Sequence, residues 1–208
     1  MWLHQRLEQN KLTLTPDQCA QMICLLHQLQ TWNQIHNLTA IRDPKIMLDR
    51  HIIESLILFK YMDRVKHSQN LRRLDIGTGP GFPGLVLALM QPNSHWTLLD
   101  ANGKKLSFVR HMVYQLQLTH VEVVQARIER FLPKEGYDQI VTRAFSHAQN
   151  IVNVAAPLLA PGGQVLALKG ELAQDEIKQI DRLTVACHAL TQVGGLEQQT
   201  LLVMQAPK

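Results

Sequence analysis

Residues 74–84 read LDIGTGPGFPG, an apolar run that ends in four glycines and two prolines. Glycine at this density lets a backbone take positive φ and approach a bulky neighbour closely. In an open α/β sheet, ligands sit beyond the carboxyl ends of the strands, which is where a glycine turn after a strand would fall. Two spacings overlap in the turn. Gly79, Gly81 and Gly84 match the G-x-G-x-x-G of a dinucleotide-binding turn. Gly77, Gly79 and Gly81 form a G-x-G-x-G run with Asp75 two residues ahead of it. The alternative is a tight strand-helix turn without a ligand, although four glycines in eight residues exceed what a turn needs.

At 208 residues the chain suits one substantial domain with a small appendage. Apolar residues make up 46% and charged residues 18%, which leaves a sizeable core available. No apolar run reaches eighteen residues, and MWLHQRLEQNKLTL lacks the features of a signal peptide, so a cytoplasmic protein is expected. Cys19, Cys24 and Cys187 are odd in number and form no C-x-x-C pair, which argues against a disulfide framework or zinc ribbon. Cys19, Cys24 and His27 are read as interior thiols beside an ordinary histidine, and no metal site is expected. The net charge of +4, from 21 basic and 17 acidic residues, permits an anionic partner such as RNA.

The first sixty residues carry helical signals. Thr15-Pro16-Asp17-Gln18 is a capping box with proline at the first helical position. Met22, Leu25, Leu26, Leu29 and Trp32 follow at helical spacing. After a polar break, Asp43-Pro44 starts another helix, with Ile46, Met47, Ile53, Leu56, Ile57 and Tyr61 as its stripe. KHSQN, residues 66–70, is a polar connector, so residues 1–66 are read as a helical extension and 67–208 as the main domain. LRRLDI, HWTLLD, VEVVQA, YDQIVTRA and GGQVLALKG are short β-like runs separated by helical stretches such as Lys104 to Leu116, which predicts a parallel sheet with helices on both faces. The end differs: LTVACHALTQV and QQTLLVMQA flank Gly194-Gly195 with no helix between them. They predict an antiparallel pair closing the sheet, and this ending favours a methyltransferase architecture over a nicotinamide-binding one.

The candidate site residues lie where strands end. Asp100, closing LLD, either accepts ribose hydroxyls of a bound adenosine or caps the helix beginning near Lys104. In QARIER, Ile128 and Glu129 either flank an adenine or form a solvated first helical turn. Arg143 in TRAF either serves the site or makes a structural ion pair. Lys169 in ALKG falls on the same rim. His51 in RHIIES reads as a packing or RNA-side residue. No G-x-S-x-G elbow or P-loop is present, which lowers hydrolase and nucleotide-hydrolysing readings.

Taken together, WNQIHNLTAIRDP, RHIIESL, DIGTGPGFPG, TLLDANGKK, YDQIVTRAF and ALKGELAQDEI resemble the bacterial small-subunit ribosomal RNA methyltransferase G family, also called glucose-inhibited division protein B, from about Trp32 to Glu176 and beyond. The resemblance implies a class I S-adenosylmethionine-dependent methyltransferase, a Rossmann-like α/β fold. It implies methylation of N7 of a guanine in the 530 loop of 16S rRNA, and a small-subunit partner. By motif match it implies that Gly77 and Phe82, with Gly79 in the same loop, and Ile128, Glu129 and Arg143 bind S-adenosylmethionine. Asp100 joins them from its strand-end position. No catalytic side chain is expected, since guanine N7 has a lone pair and no proton, and a monomer is expected. Glu54 stands where the family often has aspartate, and Phe82 where it often has leucine. The rival readings are an NAD(P)-dependent oxidoreductase, a methyltransferase acting on a small molecule or protein, and an RNA-binding assembly factor with a vestigial loop.

Overall fold

Strand β1 (Arg72–Ile76) ends one residue before Gly77 and lies inside a seven-stranded sheet. The computed structural model describes residues 2–62, 70–143, 147–170, 180, 183–190 and 199–207. β2 (His95–Asp100), β3 (Val121–Gln125), β4 (Tyr137–Arg143) and β5 (Leu159–Lys169) pair in parallel with their neighbours in the order β3-β2-β1-β4-β5. β6 (Thr184–Leu190) and β7 (Gln199–Gln205) complete the sheet, and β7 inserts antiparallel between β5 and β6. The expected terminal pair is therefore present, while its Gly194-Gly195 turn lies outside the described residues. A doubly wound dinucleotide fold runs 3-2-1-4-5-6; an antiparallel strand placed before the sixth departs from it.

Side chains alternate across each strand, so the sheet has two cores. Leu74, Ile76, Ile140, Val165 and Leu202 pack with helix α7 (Ala148–Ala155), in the numbering that follows chain order. Trp96, Leu98, Val141 and Leu166 pack with α5 (Gly84–Met90) and α6 (Gly103–Gln115). The second core also takes in the N-terminal helices α1 (Trp2–Gln9) and α2 (Pro16–His36), through Leu3, Leu25 and Leu29. The boundary expected at residues 66/67 lies outside the described residues.

Helix α2 begins as its capping box requires. Thr15 Oγ1 accepts from the Gln18 N–H at 3.2 Å, and the Gln18 side chain accepts from the Thr15 N–H at 2.9 Å. Thr15→Ala should cost about 1 kcal/mol in a urea melt, since one first-turn donor loses its partner to water. Farther on, buried Asn33 shapes the polar break. Its Oδ1 accepts from the Thr39 N–H at 2.9 Å, and its Nδ2 donates to the Ile41 carbonyl at 3.3 Å.

Periodicity predicts one uninterrupted helix from Pro44 to Tyr61. The structure instead has α3 (Pro44–Met47), a π-helical turn (Leu48–Ile53) and α4 (Glu54–Tyr61). The Glu54 N–H reaches the Asp49 carbonyl, an i to i−5 bond that widens the helix. Arg6 clamps the Asp49 carboxylate with two bonds, at 2.8 and 2.9 Å, tying α1 to this turn. The stripe reading could not register the insertion, because one wide turn leaves the neighbouring apolar positions buried.

Candidate active site at the strand ends

Two cavities open along the carboxyl rim of the sheet, on either side of the point where strand order reverses between β1 and β4. The first, of about 250 Å³, is lined by Gly77, Asp100, Ala101, Ile128 and Glu129, which follow β1, β2 and β3. Four of the predicted site residues thus share one wall. Gly79 is bound to the same group, its N–H donating to Asp100 Oδ2 at 2.8 Å. Asp100 Oδ1 accepts from the Asn102 N–H at 2.7 Å. The helix cap is Asn102, whose Oδ1 accepts from the Lys104 and Lys105 N–H groups at 3.1 and 3.3 Å. Asp100 is therefore not the cap, and each of its oxygens keeps a lone pair for another donor. Ile128 opens a three-residue 3-10 turn (Ile128–Arg130), half-buried, with Glu129 exposed beside it.

The glycines divide their work. Gly77, Gly79 and Gly81 have φ of 69°, 58° and 95°, where only glycine is comfortable. Gly84 instead opens α5, and it is needed for space: an added Cβ would lie 2.3 Å from Leu98 Cδ2 and 2.6 Å from Asp75 Oδ2. The loop thus uses the G-x-G-x-G set for its shape. Asp75 staples it from beneath, its Oδ2 accepting from the Thr78 hydroxyl at 2.6 Å and the Gly84 N–H at 2.8 Å. Asp75 Oδ1 has no partner among the described residues. Burial pushes this carboxyl up to about 6, against the two hydrogen bonds. The sequence signal for it was only its place two residues before the first glycine.

The second cavity, of about 410 Å³, lies over the ends of β4 and β5 and is lined by Ile41, His51, Glu54, Arg143, Leu168 and Lys169, among others. Arg143 does not line the first cavity. It donates to the Arg50 carbonyl and to His51 Nδ1 at 2.9 Å, and pairs with Glu54 at 3.6 Å. It is at once an ion-pair residue and a wall of this cavity. Phe82 lines neither; it is buried under the loop, stacked on His51 at 4.6 Å between centroids. Glu54 also holds Arg50 at 3.2 Å and accepts from Gln199 Nε2 at 2.6 Å. Burial nonetheless raises its carboxyl above the usual range, outweighing the Arg143 and Arg50 guanidiniums. The sequence pattern marks neither Glu54 nor Gln199 as a site residue. His51 and Glu54 stand three apart on one helical face, and that was the signal available.

Burial, with the Arg143 and Arg50 charges, pulls the His51 imidazole down to about 3. The unfolded ring titrates near 6.5, so its neutral state stabilises the fold fully above pH 6.5, and that stabilisation drains away as pH falls toward 3. Asp75 works oppositely, because a raised carboxyl favours the fold at low pH and loses this as pH rises through about 6. His51→Gln should remove the first effect alone. In urea melts, the wild-type chain should lose about 2–3 kcal/mol more than the variant between pH 7 and pH 4.5.

The strand order, the antiparallel β7 and the glycine loop with its acidic partner define a class I S-adenosylmethionine-dependent methyltransferase. Among solved structures, the N-methyltransferase NodS from Bradyrhizobium japonicum in complex with S-adenosyl-L-homocysteine superimposes with TM-score 0.62, at 16% identity, over 86% of this chain and all of that one. TrmN from Thermus thermophilus gives TM-score 0.59 at 21% identity, over 74% of this chain and 48% of that one. A family profile described as rRNA small subunit methyltransferase G (GidB) matches residues 18–202. Ribosomal RNA small subunit methyltransferase G of Escherichia fergusonii is 36% identical over 206 residues, 99% of this chain and 97% of that protein. The protein of that name from Idiomarina loihiensis is 40% identical over 174 residues, 84% of this chain and 82% of that protein. The chain belongs to the rRNA small subunit methyltransferase G family. Among the described residues, no cluster of three His, Cys, Asp or Glu is placed to hold a metal ion, and no helix is long and apolar enough to cross a membrane.

Proposed function

We propose that this chain methylates N7 of one guanine in the 530 loop of 16S rRNA, acting as a cytoplasmic monomer on the small ribosomal subunit. Membership of the family makes it an S-adenosylmethionine-dependent rRNA methyltransferase; the base, the atom and the form of the substrate are the proposed part. The observation that carries the reading is one rim with two cavities, a glycine cradle beside Asp100 and a second chamber that joins apolar walls to His51, Glu54 and Arg143.

The residues suit the donor. The glycine loop leaves its backbone open to close approach, Asp100 has free lone pairs for two ribose hydroxyls, and Ile128 offers an apolar wall with Glu129 at its edge. Gly77, Gly79, Asp100, Ile128 and Glu129 would hold the nucleoside half. Phe82 would support the loop from below, and Arg143, which shares its cavity with Arg50 and Lys169, would offer a cation to a methionyl carboxylate. When bound, S-adenosylmethionine supplies an electrophilic methyl group on a sulfonium centre.

Guanine N7 needs no base, so no side chain takes a proton. Held by Gly77, Asp100, Ile128 and Glu129, the donor would supply the methyl group that N7 accepts, with the C–S bonding pair passing to sulfur. The chain's task is to hold N7 in line, and orientation of this kind is worth about 7–11 kcal/mol. The product base is cationic, and Glu54 is the carboxylate of the second cavity. The helical extension, residues 1–66, supplies Ile41, His51 and Glu54 to that cavity, so it builds the acceptor side of the site. Arg42, Arg50, Lys104, Lys105, Arg110 and Lys169 would contact phosphates, making RNA binding fall with salt. Arg42, Lys104 and Arg110 are exposed, whereas Arg50 already shares Glu54.

Incubation with methyl-labelled S-adenosylmethionine and unmodified 30S subunits should place label in 16S rRNA. Label on protein or nowhere would contradict the substrate. Calorimetric binding of NADH without binding of S-adenosylhomocysteine would contradict the cofactor.

A further inference from the structure

We propose that His51 reads the acceptor base, donating from its Nε2–H to O6 of the guanine; the inference rests on the guanine-N7 reading above. A guanidinium has only donors, so the 2.9 Å contact from Arg143 makes His51 Nδ1 an acceptor. The proton of the neutral ring is then on Nε2. That nitrogen is buried and has no partner among the described residues, although His51 lines the larger cavity. A buried donor without a partner carries a free-energy penalty that a ligand acceptor would relieve. The ring is also held in place. It stacks on Phe82 at 21° between planes, and Ser55 Oγ donates to the His51 carbonyl at 2.6 Å.

Guanine presents N7 and O6 side by side on its major-groove edge, whereas adenine presents N7 beside an amino donor. With N7 turned toward a methyl group, O6 is the neighbouring acceptor, and an N–H there accepts guanine while meeting adenine donor to donor. The reader also has to be uncharged. An imidazolium would repel both a sulfonium and a cationic product, and burial with Arg143 and Arg50 keeps this ring neutral. Ile41 and Leu168 give the same cavity apolar surface for the faces of a base.

The test compares small-subunit RNA carrying guanine or 2-aminopurine at the target position, since 2-aminopurine keeps N7 and lacks O6. The wild-type chain should prefer guanine in kcat/KM by roughly 10- to 100-fold. His51→Phe keeps the stack on Phe82 and should lose most of that factor on guanine while leaving 2-aminopurine unchanged. His51→Gln, whose amide N–H reaches a similar place, should recover most of it. Both purines are compared at saturating S-adenosylmethionine, because His51 also holds Arg143 and packs on Phe82, and the ratio between purines cancels any change in donor affinity. Equal rates on the two purines in the wild-type chain would overturn the proposal, as would an equal loss on both purines in His51→Phe. The wild-type comparison needs no variant, so a folding defect cannot hide the answer. Failure of the function reading itself looks different: the wild-type chain would put no methyl on guanine N7 at all.

Discussion

Replacing Asp100 with alanine should weaken S-adenosylhomocysteine binding by roughly 100- to 1000-fold, measured by titration calorimetry. Two effects add. The carboxylate would lose hydrogen bonds to two ribose hydroxyls, each bond to a charged acceptor being worth about 1.5–3 kcal/mol. It would also release the Gly79 N–H, now held at 2.8 Å, and so loosen the loop that forms the other side of the cradle. Asp100→Asn keeps one acceptor oxygen and should fall between. The helix behind it keeps its cap from Asn102 Oδ1 in both variants, although alanine removes the Asp100 acceptor of the Asn102 N–H. A loss below about fivefold for alanine would remove Asp100 from the binding site.

Gly84→Val should cost about 4 kcal/mol of stability, close to the upper end for a single substitution. The new Cβ alone would meet Leu98 Cδ2 at 2.3 Å and Asp75 Oδ2 at 2.6 Å, and both residues are fully buried. Relief by moving Asp75 would break its bonds to Thr78 and to the Gly84 N–H itself. With overall stabilities of about 5–15 kcal/mol, a loss of this size shows plainly in a thermal or urea melt. Gly162→Ala is the contrast. Its φ of 73° is strained for alanine, yet nothing lies within 4 Å of the new Cβ, so about 1 kcal/mol is expected. If the two substitutions cost the same, Leu98 and Asp75 yield to the new side chain and close packing does not govern Gly84.

The strands were legible because each pairs a short β-branched or leucine-rich run with a polar stop, and the order of runs forces β1 to β5 into parallel pairing. Small misfits have local causes. β5 begins at Leu159, ahead of GGQVLALKG, because Leu159 pairs with Tyr137 before the register shifts at Gln139. α6 starts at Gly103 because Asn102 caps it. The first cavity was equally legible, since strand-end residues converge by topology. The second was not. Arg143 meets His51 across 92 positions and Gln199 meets Glu54 across 145, and no local period records such contacts. The π turn that carries His51 left no trace in the apolar stripe either. Arg143 illustrates the ambiguity that remained: an arginine ending a buried strand needs partners whether or not it touches a ligand, and here it has partners while lining a cavity.

The central claim is transfer of a methyl group to guanine N7 from a donor held in the glycine cradle. Unmodified 30S subunits should be incubated with the chain and S-adenosylmethionine, and the RNA then treated with borohydride and aniline, which cleaves at 7-methylguanine. One new cleavage in the 530 loop of 16S rRNA, absent when the Asp100→Ala variant is used at low donor concentration, is the predicted result. Methyl incorporation without that cleavage, or cleavage elsewhere in the RNA, would contradict it.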